Sequence, residues 1–495
     1  MQNKLLQFIC IKKLCKQKKS YKSIIKFASL LLAKKQIICA FALVSIIKSS
    51  WAAHHYDTII IGAGVSGLTA AYHLHTAQQK VLIIEAKNRL GGRVYTSYDW
   101  GFATDLGASW IHAIENNPLL PLIGKQSIII NSYSNSDPVA MLTNYALYDS
   151  EGKPVSKQTQ TLFSSLTKEF LRYCQTRSQM ISFAQNLTTF AKQKKLTSKQ
   201  LALLSYALEN IYTYEFADNL TKLSRNVHSA SEASIASGKN ALVPEGYFQL
   251  FRPLTQHVPI HLNQIVSQIN YGPDGVNIIT QHEKYHAKQV IITVPLGVLK
   301  ANTIKFHPAL PKDKRTAISQ LGMGSYEKLY LLFDKVFWDK DKGWIGMLPQ
   351  NEQEAFNIFN YYKYTKKPVL IVFTSGKLAR DMEKEHLTEW VMQHLRRIYG
   401  NNIPKPIKNK KTHWGSDPFT RGSYSYLPVN VDKSVIGTLA QPVANRLYFA
   451  GEATSTTDPS TVHGAYLSGI RAAEEVLASI KHSGKNRERN KAVNS

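Results

Sequence analysis

The sequence predicts an α/β fold that contains a Rossmann-like domain, and three neighbouring features support this. Residues 58–61 form a short β-branched run, as expected of a buried parallel strand. Three glycines then follow in a G-x-G-x-x-G pattern: Gly62, Gly64 and Gly67. A second apolar run over residues 81–84 ends in Glu85. Strand, glycine turn, helix, strand and acid at this spacing are typical of a Rossmann-like unit that binds a dinucleotide.

Each part of this pattern has a physical role. Gly62 permits a tight turn, and Gly64 lets the backbone approach a pyrophosphate. Gly67 lets the predicted helix over residues 68–78 pack closely on the sheet, and the N-terminus of that helix favours phosphates. Glu85 can accept hydrogen bonds from ribose hydroxyl groups at the end of its strand.

The segment that follows distinguishes between dinucleotides. A nicotinamide enzyme would normally continue into another helix–strand unit, whereas this chain continues as Arg89-Leu-Gly-Gly-Arg93. A glycine-rich loop that brings Arg93 back to the cofactor suits a long flavin dinucleotide. Near the C-terminus, residues 446–452 read as a strand ending in Glu452, and residues 461–469 enter a helix. These elements would complete the site around the isoalloxazine ring.

Six separated segments, in this order, resemble the flavin-containing amine oxidase family over residues 57–478. They are the glycine turn, the Gly-Gly-Arg loop and residues 105–112, 293–299, 321–338 and 414–463. Residues 105–112 followed by Asn117-Pro118 are most similar to the polyamine oxidases. Ala113 stands where relatives usually have glycine, a departure that would tilt the adjoining loop. The resemblance implies FAD as cofactor and a glutathione-reductase-like FAD-binding domain with an interleaved α+β substrate domain.

Length and charge restrict the remaining possibilities. A chain of 495 residues predicts two closely packed domains. The formal net charge is +27, of which eleven charges are lysines in residues 1–53, a segment without acidic residues. The remaining charge of +16 comes from scattered residues with no basic and aromatic stripe, so we predict no specific nucleic-acid binding.

Residues 1–53 read as a signal peptide or leader. A lysine-rich stretch ends at Lys35, residues 36–47 are apolar, and residues 49–53 supply small residues for cleavage. The apolar stretch is short for a membrane span. We therefore predict export to the periplasm or medium in a bacterial-type cell, with membrane anchoring by the uncleaved leader as the alternative. Cys174 is the one cysteine after the leader, so the mature chain has no internal disulfide. No metal site is predicted.

The predicted domains are discontinuous. Residues 54–125, 226–300 and 435–480 are assigned to the FAD-binding domain, and residues 126–225 and 301–434 to the substrate-binding domain. The active site would then be an interdomain cavity. Further predicted helices are residues 246–254 and 387–399, and further predicted strands are residues 261–266, 275–280, 328–333 and 368–373. Residues 481–495 are charged and predicted to be disordered.

The resemblance also implies roles for individual residues. Lys328 matches the family lysine that binds a water facing flavin N5, although a lysine opening an alternating strand is usually a solvated edge residue. Tyr424 matches an aromatic residue that lines the amine's approach, whereas a tyrosine in a strand-rich region is more often part of the core. The implied cofactor contacts outside the glycine turn are Glu85, Arg93, Val266 at the adenine end, Trp414 near the flavin ring, Glu452, Thr461 and Val462.

Four further positions refine these expectations. His112 resembles the polyamine-oxidase histidine of the substrate tunnel, and a structural histidine is the alternative. Glu215 matches an acid that holds a distal ammonium group, and a solvated helix-end glutamate is the alternative. Ser423 replaces the flavin-linked cysteine of monoamine oxidases, which excludes attachment there. Thr461 replaces a second cage tyrosine and also argues against a monoamine oxidase.

The implied reaction is FAD-dependent oxidation of an amine by hydride transfer to flavin N5. The imine is hydrolysed to an aldehyde and an amine, while O2 is reduced to H2O2. Polyamine is the preferred substrate, and a monoamine, an L-amino acid or a peptidyl lysine are the alternatives. The sequence lacks an inserted helical tower, which argues against a chromatin demethylase. A non-catalytic secreted binding protein is the alternative of another class. The cleaved bond, the flavin attachment and the oligomeric state remain open.

Overall fold

The computed structural model describes residues 55–123, 128–130, 144–227, 234, 236–348, 357–382 and 386–493. The predicted leader lies outside these residues, so export and membrane anchoring stay predictions. Within the described ranges, no helix combines the length and apolar character needed to cross a membrane. Cys174 is buried as a free thiol.

The strands and helices are numbered separately along the chain. The strands are β1 (His55–Ile61), β2 (Val81–Ile84), β3 (Thr96–Ser97), β4 (Thr104–Asp105), β5 (Trp110–Ile111), β6 (Ile128–Ile130), β7 (Tyr145–Tyr148), β8 (Asn240–Leu242), β9 (Ile260–His261), β10 (Val266–Gly272), β11 (Gly275–Thr280), β12 (Lys284–Ile292), β13 (Lys305–His307), β14 (Gly322–Met323), β15 (Tyr326–Leu332), β16 (Trp344–Met347), β17 (Asn357–Asn360), β18 (Val369–Ser375), β19 (Lys408–Lys411), β20 (Ser425–Tyr426) and β21 (Leu447–Phe449). The α-helices are α1 (Val65–Thr76), α2 (Leu120–Ile123), α3 (Lys157–Gln175), α4 (Phe183–Lys194), α5 (Ser198–Leu208), α6 (Tyr214–Phe216), α7 (Leu296–Lys300), α8 (Lys312–Gln320), α9 (Tyr361–Thr365), α10 (Gly376–Met382), α11 (Leu387–Tyr399), α12 (Ser434–Ala440) and α13 (Val462–Val493). A π-helix spans Glu209–Thr213, and 3-10 helices span Tyr247–Thr255 and Glu452–Thr454.

An eight-stranded sheet carries the glycine turn. Its order is β13-β10-β11-β12-β1-β2-β9, and β21 pairs with β12. The pairs β1–β2 and β12–β21 are parallel, as the sequence predicts for a Rossmann-like sheet. Helices α1 and α13 pack against each other, and Gly469 allows the close approach because a Cβ there would lie 2.4 Å from Ser66 O. This sheet therefore forms the predicted α/β core.

A six-stranded sheet forms the second core. Its order is β19-β15-β18-β17-β16-β7, and its pairs are antiparallel except β16–β7. Strand β18 is buried along its whole length, because its alternate residues pack into two different apolar clusters. Helices α3, α4 and α5 pack together in two further apolar clusters. Phe170, Phe190 and Leu204 belong to the same one of these clusters. This arrangement accounts for the mixture of helices and strands predicted for the substrate side.

Several predicted elements match the structure. The helix over residues 387–399 and the strand over residues 275–280 are confirmed with their predicted bounds. The strands predicted at 328–333 and 368–373 are present as β15 and β18, with shifted ends. The predicted helix at 246–254 is a 3-10 helix that contains Pro253. The first helix begins at Val65 rather than residue 68, so Gly67 lies in its first turn.

Three predictions require correction. Residues 261–266 are not one strand, because Asn263 has φ +57° and the backbone amides of residues 263 and 264 bond to the loop after β2. Strand β13 pairs with β10, so the larger sheet extends past the predicted boundary at residue 300. Helix α13 continues to Val493, so the prediction of disorder is wrong for residues 481–493. The lysine, arginine and glutamate residues of this tail are good helix formers and extend a helix that packing has already nucleated.

Candidate active site

A cavity of about 880 Å3 joins the predicted cofactor and substrate residues. This volume lies within the usual range for ligand pockets, about 300–1,000 Å3. Thirteen predicted site residues line it: Gly62, Gly64, Glu85, Arg93, His112, Glu215, Val266, Lys328, Trp414, Tyr424, Glu452, Thr461 and Val462. Gly67 has a packing role beneath the turn, where a Cβ would lie 2.0 Å from Gly62 O.

The glycine turn leaves space where a dinucleotide would lie. Gly62 has φ +110°, and a Cβ there would lie 2.6 Å from Thr293 Oγ1. Gly64 lines the cavity, and a Cβ on it would meet no other atom within 4 Å. The space above Gly64 is therefore open, and a side chain there would project into it. This geometry fits the close backbone approach that a pyrophosphate requires.

Glu85 lines the same cavity just after strand β2. Its Oε2 accepts a hydrogen bond from Ala63 N at 2.7 Å, and its Oε1 accepts one from Lys87 N at 2.8 Å. Burial raises the pKa of Glu85, while these hydrogen bonds oppose the increase. Each carboxylate oxygen can still accept a further hydrogen bond from a ribose hydroxyl group.

A partly buried ion pair joins the Gly-Gly-Arg loop to the C-terminal part of the site. Arg93 Nη1 lies 2.7 Å from Glu452 Oε1 and donates to Ser423 O at 3.0 Å. Glu452 also accepts a hydrogen bond from the Ser425 hydroxyl at 2.5 Å. The structure thus brings together two segments that the sequence predicted to meet at the flavin.

Cations and a backbone carbonyl hold the Trp414 ring. Its Nε1 donates to Leu106 O at 3.1 Å. Lys87 Nζ and the Arg89 guanidinium carbon lie 5.8 and 5.9 Å from the indole centroid. Cation–π attraction and the hydrogen bond together fix the plane of this ring beside the cavity.

Lys328 is 6% exposed and differs from the solvated edge residue that its strand pattern alone suggests. Its Nζ donates to Asp105 O at 3.0 Å and also contacts Gly107 O and Ser109 Oγ. Burial lowers the pKa of Lys328 to about 7, and the negative charge of Asp105 opposes this decrease. Both the ammonium and the neutral amine are therefore accessible near neutral pH.

Two rows of aromatic rings line the cavity near Lys328. In the first row, the Tyr326 ring lies 6.0 Å from Tyr424 and 6.1 Å from Tyr214, whose backbone oxygen accepts a bond from the Tyr424 hydroxyl at 3.0 Å. In the second row, Lys328 Nζ lies 6.0 Å from the Trp110 ring. The Trp110 and Trp344 centroids are 6.3 Å apart, and Trp344 stacks on Tyr145 at 5.8 Å.

Most of these rings were not identified as site residues from the sequence. Tyr326 precedes Lys328 by two positions on one strand, so strand alternation could have placed it on the same face. Trp344 and Tyr145 meet because β16 pairs with β7 from a remote part of the chain, and no local pattern indicates that pairing. Tyr214 follows a π-helix, which sequence periodicity does not reveal.

His112 is neutral in this structure. The Trp110 indole N–H lies 3.1 Å from His112 Nε2, and an indole nitrogen can only donate, so Nε2 carries no proton. Burial lowers the pKa of His112, while the carboxylate of Glu215 opposes the decrease. Glu215 is an exposed residue on α6 at the edge of the cavity. The charge of Glu215 therefore acts on His112, the other predicted substrate residue.

Comparisons with known proteins agree with this geometry. Residues 65–477 match the family described as flavin containing amine oxidoreductase. Polyamine oxidase 4 of Oryza sativa subsp. japonica is 35% identical over 434 residues, which cover 85% of this chain and 88% of that protein. Polyamine oxidase 2 of Arabidopsis thaliana is 34% identical over 85% of this chain and 87% of its own length. Lysine-specific histone demethylase 1 homolog 2 of Arabidopsis thaliana is 34% identical over 85% of this chain and 58% of its own length.

The family match begins after β1 and the first two glycines of the turn, and it covers the other strands of both sheets and most of the cavity lining. FAD is the cofactor of this family, and the open space over Gly64 and the orientation of Glu85 fit it. The protein is an oxidoreductase with similarity to polyamine oxidases. The chain belongs to the flavin containing amine oxidoreductase family.

Proposed function

We propose that this protein oxidises polyamines. The observation that carries the proposal is the pair of aromatic rows that extend away from Lys328. A polyamine alternates methylene segments with amino groups, most of them cationic at neutral pH. Ring faces attract ammonium groups and pack against methylene groups. A monoamine would use only the rings nearest Lys328, whereas an extended polyamine would use both rows.

The charged groups favour the same substrate. Glu215 directly follows Tyr214, is exposed and lines the same cavity as the first aromatic row. A carboxylate there attracts the distal ammonium group of a long substrate. His112 is neutral and does not repel that cation. Glu215 therefore supplies charge recognition, and the rings supply length recognition.

Bound FAD would supply the two-electron acceptor for oxidation of the carbon–nitrogen bond. Gly62, Gly64, Glu85, Arg93 and Glu452 would hold it through the contacts described above. The aromatic rows orient the amine and exclude water from the reacting carbon. The substrate nitrogen must lose its proton to react, and the ring-lined, low-dielectric surroundings favour its neutral form.

Lys328 would manage a proton in the second part of the reaction. Its neutral amine can accept a hydrogen bond at Nζ from a water that hydrolyses the imine product to an aldehyde and a smaller amine. Its ammonium form donates to Asp105 O and the neighbouring oxygens. A pKa near neutrality allows both states, which suits a general base. Dioxygen would be reduced to H2O2.

Oxygen consumption by the purified yellow protein tests the substrate. We expect kcat/KM for spermine and spermidine to exceed that for benzylamine, L-leucine and an Nε-methyl-lysine peptide by at least about tenfold, because each added contact of about 1 kcal/mol contributes about fivefold. A higher value for benzylamine or L-leucine would contradict the polyamine proposal. Absence of H2O2 with every amine would instead support a non-catalytic binding protein.

Glu215→Gln tests charge recognition. We expect KM for spermine to rise about fivefold with kcat nearly unchanged, as the loss of a partly exposed ion pair of about 1 kcal/mol predicts. Glu389→Gln is the matched control, because Glu389 is an exposed carboxylate on α11 outside the cavity lining. An equal KM for wild type and Glu215→Gln would show that this glutamate is only a solvated helix-end residue.

We also propose that residues 1–53 direct export and are removed near Ala53. The support is the lysine-rich stretch, the apolar residues 36–47 and the small residues 49–53. N-terminal sequencing of the protein from its native host tests this. Recovery of the lysine-rich segment on the native protein would contradict cleavage and favour the anchored alternative.

A further inference from the structure

A chain of buried hydrogen bonds crosses from the loop of His112 to the start of α13. Asn117 Nδ2 donates to His112 O at 2.8 Å and lies 3.5 Å from His463 Nδ1. His463 Nε2 lies 3.1 Å from Asp458 Oδ1. Asn117, His463 and Asp458 are 2%, 4% and 5% exposed. The chain therefore connects a substrate-side loop to a cofactor-side helix without passing through solvent.

At the substrate end, Asn117 holds a strained turn. Ala113 has φ +50°, a conformation that residues other than glycine rarely adopt. Asn117 Nδ2 also donates to Ala113 O at 3.3 Å, and Asn117 Oδ1 accepts from Leu119 N at 3.0 Å. One amide side chain thus contacts both residues of the turn that carries His112.

At the cofactor end, the same chain orders the first turn of α13. Thr461 Oγ1 accepts from Gly464 N at 2.9 Å and donates to Asp458 O at 2.8 Å. His463 then binds the Asp458 carboxylate from within the helix. Thr461 and Val462, which line the cavity, lie between these anchoring points.

The donors and acceptors specify one orientation for each side chain. The Asn117 amide nitrogen can only donate, so His463 Nδ1 must accept and His463 Nε2–H must donate to Asp458. A neutral ring of one tautomer satisfies this pattern. Buried polar chains whose members are all paired give a unique arrangement of the elements that they join.

We propose that Asn117 and His463 are positioning residues that fix His112 relative to the N-terminus of α13. They would set where the bound amine lies with respect to the cofactor, and they act through the backbone of residues 112, 113 and 458–462. This inference rests on the proposed function for its choice of spermine as the probe.

A double-mutant cycle with the FAD-loaded enzyme tests the substrate side. Asn117→Ala should raise KM for spermine about fivefold while kcat falls less than about twofold, since coupled neighbours typically show interactions of this size. In the His112→Ala background, the same substitution should change KM by less than about twofold. If Asn117→Ala raises KM by the same factor in the wild-type and the His112→Ala background, the proposal is overturned.

FAD binding gives a readout that does not depend on substrate. Asn117→Ala and His463→Leu should each raise the dissociation constant of FAD about threefold or more and alter the absorbance bands of bound FAD. His463→Gln, which keeps a donor and an acceptor, should recover part of the loss. Unchanged FAD affinity and spectrum in both Asn117→Ala and His463→Leu would also overturn the proposal.

Asn360→Ala is the matched control for general destabilisation. Asn360 is fully buried, and its Nδ2 donates to Asp339 O at 2.8 Å and Lys342 O at 2.7 Å, outside the cavity lining. Asn360→Ala should lower Tm without changing KM or FAD affinity. If Asn360→Ala and Asn117→Ala change KM and FAD affinity equally, the positioning role is overturned. If wild type oxidises no amine, the proposed function fails, and the FAD-binding comparison still decides the positioning role.

Discussion

The cofactor end and the substrate end of the cavity are built in different ways. The cofactor end uses main-chain shape: Gly62 and Gly64 open the space, and Ala63 N orients Glu85. The substrate end uses side chains from segments far apart in the chain, such as Trp344 stacked on Tyr145. A change in main-chain shape closes a binding site, whereas the loss of one ring among several only weakens binding. Substitutions at the cofactor end should therefore abolish binding almost completely, and substitutions at the substrate end should weaken it by degrees.

The largest expected effect is at Gly64. Gly64 has φ −76°, so valine fits the backbone, and its side chain would enter the open space of the cavity. We expect Gly64→Val to fold with nearly unchanged Tm but to purify colourless, without FAD. The visible absorbance of bound flavin measures occupancy.

Gly272→Val is the control for this substitution. Gly272 ends β10, a Cβ there also meets no atom within 4 Å, and the residue is outside the cavity lining. The control should retain FAD. Full FAD occupancy in Gly64→Val would refute the assignment of the glycine turn to the pyrophosphate.

The next effect concerns Lys328, which belongs to the substrate end but has one specific chemical role. Lys328→Met should retain FAD while either imine release or reoxidation slows by on the order of 10²-fold, a usual size for a positioned acid–base group. Stopped-flow measurement of the two half-reactions separates these steps. Wild-type rates in both would show that this lysine only supports strand β15.

The same variant makes a prediction for stability against pH. Burial lowers the pKa of Lys328 from 10.5 to about 7, so between these values the unfolded chain binds more protons than the folded one. This lysine therefore makes stability rise with pH across that window. The free energy of unfolding of Lys328→Met minus that of wild type should decrease as pH rises from 7 to 10, as measured by urea unfolding. A constant difference would mean that Lys328 keeps a normal pKa.

Tyr424 gives a smaller, graded effect. Tyr424→Ala removes one ring of the first aromatic row and should raise KM for spermine about two- to fivefold, since a cation–π contact contributes about 0.5–1 kcal/mol. Tyr424→Phe keeps the ring and loses one hydrogen bond to Tyr214 O, so its KM should stay near the wild-type value. A complete loss of turnover in Tyr424→Ala, with FAD bound, would break the comparison between the two ends.

The smallest effect is at Ala113. Glycine relieves its left-handed conformation, so Ala113→Gly should raise the free energy of unfolding by up to about 1 kcal/mol. Ala444 has φ +54° on an exposed part of the chain, and Ala444→Gly should give a similar gain. Denaturant unfolding measures both. A loss of stability in Ala113→Gly alone would mean that the Ala113 methyl group makes contacts that outweigh the strain.

The contrast between the two ends also explains what the sequence could predict. Gly62, Gly64 and Glu85 lie within 24 positions, so spacing along the chain specifies their geometry. Lys328, Tyr424 and His112 were found through resemblance, because their strand patterns alone suit ordinary edge or core residues. The second aromatic row could not be predicted, since it depends on parallel pairing of β7 with β16. The break between β9 and β10 was missed because Asn263 bonds to a loop rather than to a strand.

The π-helix at Glu209–Thr213 has a consequence for how this chain tolerates changes in length. A π-turn holds one residue more than the corresponding α-helical turn. Because the extra residue is taken up within the turn, deleting it would restore a continuous α-helix and leave Tyr214 and Glu215 on the same face. The same deletion in an ordinary α-helix would turn every following residue by about 100°. This segment can therefore change its length by one residue without moving the side chains that line the cavity.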